Sequence, residues 1–165
     1  MSQVREIEIC PLASIKGGMA EFYTPQTSHE TMLVQIPAGT IDDLFVHKSQ
    51  TDQLLIVKGS LVLVSLINRR YQYIALSEHR PVVVKIPPGV LHGAINVGSE
   101  PCVLVNAVLR HRPAQERDYI PQKPPFPYDI AAAASVLAEL EPSKNNSRVL
   151  CPDLIYDVAH SACGA

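Results

Sequence analysis

Between residues 30 and 110 the chain is a succession of short apolar runs interrupted by turn residues. That pattern limits the fold more than any other feature. The runs are MLVQI (32–36), QLLIVK (53–58), SLVLVSLI (60–67), YQYIAL (71–76), VVVKI (82–86), VLHGAINV (90–97) and CVLVNAVLR (102–110). The breaks are Pro37-Ala38-Gly39, Lys58-Gly59, Asn68-Arg69, Pro87-Pro88-Gly89 and Gly98-Ser99-Glu100-Pro101. Val-, Ile- and Leu-rich runs recurring every 8–12 residues or so, with turn chemistry between them, specify an antiparallel sandwich or barrel. A parallel sheet would need a crossover helix between strands, and no segment in this region supplies one.

Several runs are apolar at nearly every position. In SLVLVSLI, Leu61, Leu63 and Ile67 share one side while Val62, Val64 and Leu66 share the other. A strand apolar on both sides needs cover on both. The interior covers one side, and a second sheet or a partner subunit is expected on the other. A homodimer is therefore expected.

Beyond Arg110 the character changes. RHRPAQERDYIPQKPPFPYD is proline-rich and reads as an extended surface segment. Arg110, His111, Arg112 and Arg117 form a small basic cluster that reads as a solvated loop rather than a diphosphate contact. DIAAAASVLAELEP is helical in composition, with Asp129 as N-cap and Pro142 as its end. A further short helix is expected to start near Pro152. The expected organisation is a mainly-β domain over 1–128, with an N-terminal arm and the proline-rich segment, and a helical C-terminal extension over 129–165.

Hydrophobic residues make up 47% of the 165, enough for one core. With 14 basic against 16 acidic residues the net charge is −2, which points neither to nucleic acid nor to an anionic membrane. No run is long and apolar enough for a spanning helix, and the charged start MSQVREIEIC lacks the apolar core of a signal peptide. A cytoplasmic location is expected. The four cysteines, 10, 102, 151 and 163, have no metal-site spacing, and Cys102 reads as a buried reduced thiol.

The chemistry is concentrated in IPPGVLHGAIN (86–96). Pro88 and Gly89 suit the corners of a type II turn, where the second corner needs φ > 0. On the strand that follows, His92, Ala94 and Asn96 point one way and Leu91, Ile95 and Val97 the other. That places His92 and Asn96 on a pocket wall.

The spacing P-x-G-x2-H-x3-N, filled by Pro87, Gly89, His92 and Asn96, resembles the second motif of the cupins, with Pro81 where that motif opens on glycine. The first cupin motif has its counterpart in GTIDDLFVHKSQTDQLLIVKG, where Gly39, His47 and Gly59 match, Asp52 replaces glutamate and Phe45 replaces the first histidine. The resemblance, over roughly 30–110, implies a cupin-type antiparallel jelly-roll barrel. The chain is similar in particular to the sugar-nucleotide branch, the dTDP-4-dehydrorhamnose 3,5-epimerases and dTDP-sugar 3,4-ketoisomerases. IPPGVLHGA looks like the epimerases' I-P-x-G-F-A-H-G-F. FVHK (45–48), Gly59-Ser60 and RDYI (117–120) look like the ketoisomerases' H-A-H-K, G-S and D-Y-I.

That resemblance implies an isomerase or epimerase acting on a nucleotide-linked 4-keto sugar by proton transfer next to the ketone, without a metal. Such a site needs a base poised near neutral pH. His47 is the first candidate and His92 the second, as base or donor. Asn96, Asn106, Tyr71 and Tyr73 are candidate substrate-binding residues, and the two tyrosines, on one strand face, are also candidate acids. Two departures change the expected mechanism. Asp52-Gln53-Leu54 stands where the epimerases keep a lysine, and Val105-Asn106 where they keep a tyrosine. Two other readings remain open: a non-catalytic small-molecule-binding cupin, and a metal-dependent cupin holding a divalent ion with His47, Asp52 and His92.

Overall fold

The computed structural model describes residues 6–15, 20–22, 28–115, 118–140 and 155–158. In chain order the strands begin with β1 (Glu8–Pro11), β2 (Ala13–Ile15), β3 (Ala20–Phe22), β4 (Glu30–Ile36) and β5 (Leu44–His47). They continue with β6 (Gln50–Lys58), β7 (Ser60–Ile67), β8 (Arg70–Ser77), β9 (Val82–Ile86) and β10 (Leu91–Ile95). After β11 (Cys102–Arg110) and β12 (Tyr119–Gln122) come helix α1 (Ile130–Ala138) and β13 (Ile155–Val158).

Two antiparallel sheets face each other, ordered β1-β9-β6-β11-β4 and β12-β5-β10-β7-β8-β13. The jelly-roll arrangement is as expected, but the sheets stay open at their edges and do not close into a barrel. The β7–β8 hairpin turns at Asn68 and Arg69, both with positive φ (51° and 64°), the handedness a two-residue turn needs to match the twist of its strands.

Between the sheets Leu61, Leu63, Ile74 and Leu76 pack against Ile36, Ile56, Val84, Ile86 and Leu104. The other side of the six-stranded sheet carries Leu44, Val62, Val64, Tyr71, Tyr73 and Ala75, packed against Ala133, Val136, Leu137 and Leu140. The alternation in SLVLVSLI is thus used on both sides. The cover on the second side is neither another sheet nor a partner subunit, as expected, but α1 of the same chain. A helix with small alanines can approach a sheet closely enough to do this.

Asp129 caps α1 as expected, its side chain accepting from Ala132 N at 2.9 Å. Regular helix ends at Ala138, before Pro142. Asp129→Ala is expected to lower stability by about 1 kcal/mol, read as a shift of the urea midpoint at constant slope; no shift would show that packing alone holds the helix start. The helix expected from Pro152 is replaced by β13, which pairs antiparallel with the edge strand β8, Ile155 opposite Ile74 and Val158 opposite Tyr71. A β-rich stretch next to an open edge gains more from a ladder than from an isolated short helix. Among the described residues no helix is long and apolar enough to cross a membrane.

Candidate active site

The Pro87-Pro88-Gly89 turn does what its sequence demands. Gly89 has φ 85°, and its N–H donates to the His47 carbonyl at 2.7 Å, tying the turn to the end of β5. The chain then enters β10, where His92 pairs with Ser65 of β7 on one side and Phe45 of β5 on the other. Residue 93 must be glycine. A Cβ there would lie 2.9 Å from the Asp43 carbonyl oxygen, so only glycine lets the start of β5 come this close.

His47 and His92 project from the six-stranded sheet. Asp52 projects toward them from β6 in the opposite sheet. Its Oδ2 lies 3.4 Å from His47 Nε2 and 3.5 Å from His92 Nε2. The other oxygen, Oδ1, accepts from Gln50 Nε2 at 2.8 Å and Asn106 Nδ2 at 3.0 Å. The carboxylate is therefore divided: one oxygen is anchored by two amides and the other is left to the rings. Asp52 and His92 side chains are each 4% exposed and His47 16%, so His47 is the ring a ligand meets first.

The tautomers follow from the partners. His92 Nδ1 lies 2.9 Å from the Val90 carbonyl, which only accepts, so that nitrogen carries a hydrogen. Nε2 faces Asp52 Oδ2 and donates to it when the ring is protonated. His47 Nδ1 is buried without a hydrogen-bond partner. With Nε2–H directed at Asp52, His47 keeps a free lone pair on Nδ1, the arrangement of a base.

Burial pushes the His47 pKa down, against the opposing pull of Asp52, and the net value lies below the usual 6.5. Burial pushes Asp52 up, but hydrogen bonds from His92 and Asn106 and the nearby imidazoles outweigh it, and the carboxyl lies below 3.8. Both shifts have one sign for stability. As pH falls below 6.5 the unfolded chain takes up the His47 proton first, and below 3.8 it takes up the Asp52 proton first. Tm is therefore expected to fall from about pH 7 to about pH 5 and again below about pH 4, and the first step should vanish in His47→Gln. A Tm that rises on acidification would contradict the arrangement.

Phe45 fills the space where the cupin motif has a histidine. Its ring centroid is 4.3 Å from that of His92 and 5.5 Å from that of His47. Tyr119 pairs with His47 across β12 and β5, stands 5.8 Å from its ring and is over half exposed.

Of the candidate residues, the structure brings His47, Asp52, His92 and Asn106 together. Asn96 lies elsewhere: it is buried, its amide donates to the carbonyls of Ile36, Pro37 and Glu100, and its oxygen accepts from Gly98 N. β10 ends at Ile95, so strand alternation no longer governs residue 96. Tyr71 and Tyr73 are also removed from the site. They face α1, Tyr71 Oη donating to the Phe126 carbonyl and Tyr73 Oη accepting from Asp129 N.

Sequence reasoning missed Gln50, Arg110 and Asp118 as neighbours of the site. The D-Y-I match was the available signal for Asp118 and Tyr119. Arg110, read as part of a solvated loop, is the last residue of β11; it forks onto Glu30 and donates to Gln50.

The donor set also fits a divalent ion. His47, Asp52 and His92 offer ligand atoms within 4.8 Å of one another. The Val90 carbonyl accepts from His92 Nδ1 and so leaves Nε2 as the ring's ligand atom, as carbonyls behind metal-binding histidines do.

No protein-family model matches the sequence, and no curated protein matches it. Solved structures do share the fold. A dTDP sugar isomerase from Desulfovibrio desulfuricans G20 superposes with a TM-score of 0.60 at 16% identity, over 72% of this chain and 85% of that one. A variant of the 3,4-ketoisomerase QdtA from Thermoanaerobacterium thermosaccharolyticum, in complex with TDP-4-keto-6-deoxyglucose, gives 0.58 at 14% identity, over 86% and 100%. A dTDP-4-dehydrorhamnose 3,5-epimerase from Sulfolobus tokodaii gives 0.56 at 16% identity, over 72% and 78%. The chain therefore has the jelly-roll fold of the sugar-nucleotide isomerases and epimerases, as its motifs led one to expect.

Proposed function

We propose that this protein moves a proton next to the ketone of a nucleotide-linked 4-keto sugar. The observation that carries this reading is the His47–Asp52–His92 cluster, in which His47 is the most exposed of the three side chains and its Nδ1 has no hydrogen-bond partner. Neutral His47 takes the proton α to the carbonyl, and the C–H electron pair becomes the enolate. Asp52 stabilises the imidazolium so formed. In an isomerisation the proton of the adjacent hydroxyl passes to the enolate oxygen, and His47 returns its proton to the former carbonyl carbon, leaving the ketone at the neighbouring carbon; in an epimerisation the original carbon is reprotonated from the other face. His92 is the second proton-carrying group. The ketoisomerase of the same fold holds TDP-4-keto-6-deoxyglucose, which supports the substrate class. We retain a homodimer in this reading, because the outer face of the five-stranded sheet keeps Leu33 74% and Val57 52% exposed.

The test is incubation with dTDP-4-keto-6-deoxyglucose in D2O, followed by NMR. Incorporation of deuterium at a carbon next to the ketone, above a His47→Ala, His92→Ala control, supports the reading. Saturable binding without incorporation favours a non-catalytic binding protein instead.

A second reading rests on the fit of the same three side chains to a divalent ion. His47, Asp52 and His92 would hold it, and an ion there would supply Lewis-acid polarisation of a substrate oxygen. Metal analysis of purified protein decides: less than about 0.2 equivalents of iron, manganese, nickel or zinc per chain rejects it.

A further inference from the structure

Asp52 divides its oxygens between two jobs, and the residues that enforce this division extend to the rim. Gln50 Nε2 donates to Asp52 Oδ1 at 2.8 Å. Arg110 Nη1 donates to Gln50 Oε1 at 3.2 Å. The order cannot be reversed, since a guanidinium only donates and a carboxylate only accepts. The Gln50 amide is therefore oriented by its two neighbours. Arg110 is itself fixed: Nε and Nη2 grip Glu30 at 2.7 and 2.9 Å, and Nη1 lies 3.9 Å from Asp118 Oδ2. Gln50, Asp52 and Asn106 are all buried, so no solvent replaces a lost donor.

We propose that Gln50 and Arg110 are positioning residues: Arg110 sets the Gln50 amide, and Gln50, with Asn106, turns Asp52 Oδ2 toward His47 and His92. The inference rests on the proton-transfer reading for its kinetic consequence but not for its geometry. Neither residue touches the reacting rings. Without the Gln50 donor, Asn106 alone holds Oδ1, and one hydrogen bond leaves the carboxylate able to turn Oδ2 away from the rings. Without Arg110 the amide can flip and present oxygen to oxygen.

The experiment compares Gln50→Leu, Gln50→Glu, Arg110→Met and the Gln50→Leu/Arg110→Met double variant in the full chain. Gln50→Glu preserves shape and the Arg110 contact while removing the donor to Asp52. For deuterium incorporation into dTDP-4-keto-6-deoxyglucose, kcat is expected to drop roughly tenfold to a hundredfold in each, with KM within about twofold. The double variant is expected to be no slower than Gln50→Leu, because Arg110 acts through Gln50. Multiplying losses, or a wild-type kcat in Gln50→Glu, overturn the inference.

Crystal structures of Gln50→Leu and Gln50→Glu supply a readout independent of turnover. Asp52 Oδ2 should leave its place within 3.4 and 3.5 Å of the two rings, and persistence of both distances refutes the positioning role. If wild-type protein incorporates no deuterium, the proposed reaction falls, while the crystal structures still decide the positioning.

Discussion

His47→Ala is expected to slow deuterium incorporation into dTDP-4-keto-6-deoxyglucose by roughly 10²–10⁴. The ring removed is the accessible member of the cluster and the one with an unpartnered nitrogen. His47→Ala removes the group that takes the proton from carbon, and water is far too weak a base to replace it. His92→Ala and Asp52→Asn should also be slow but for another reason. Both leave the His47 ring in place and remove what tunes it. Asp52→Asn in particular replaces the charge facing His47 Nε2, so the imidazolium loses its stabiliser. The comparison is informative only in folded protein, so Tm is measured alongside. A His47→Ala rate within about threefold of wild type would remove His47 from the mechanism.

The second large effect concerns a residue whose motif position suggested binding. Asn96→Ala is expected to cost about 2–4 kcal/mol of stability. The Asn96 amide donates to the carbonyls of Ile36 and Pro37 at 3.1 Å and of Glu100 at 3.0 Å, and its oxygen accepts from Gly98 N at 3.0 Å. These contacts join the end of β4 to the loop before β11. Asn96 is 1% exposed, so alanine leaves the Ile36 carbonyl, also buried, without its donor. Asn96→Asp should be worse, because it sets a carboxylate against three carbonyl oxygens. Urea denaturation measures both. The proton-transfer rate of the folded Asn96→Ala protein should be unchanged, whereas a substrate-binding role would raise KM.

The position of Asn96 away from the two rings has a physical source. Period-two alternation places residues on faces only while the strand lasts, and β10 stops at Ile95. One residue later the backbone has turned, and the amide meets carbonyls instead of a pocket. Tyr71 and Tyr73 show a different gap. Their strand is apolar on both faces, and so is its neighbour β7. Alternation says that the two tyrosines share a side, but not that the side lies under α1.

Local patterning in the sequence accounts for the seven apolar strands between residues 32 and 110, their turns and the position of His92. Turn chemistry and alternation act over a few residues, and those residues are adjacent in the chain. The resemblance to the cupins implied that His47, Asp52 and His92 belong to one site. Only the tertiary structure decided which face of the six-stranded sheet is the interior, because α1 had to dock before the two apolar faces became different. Only the tertiary structure brought Asp52 across from the opposite sheet to face both rings, and aligned Gln50 and Arg110 behind it. The Asp52–His92, Asn106–Asp52 and Arg110–Gln50 contacts join residues far apart in the chain, where no local rule of spacing operates.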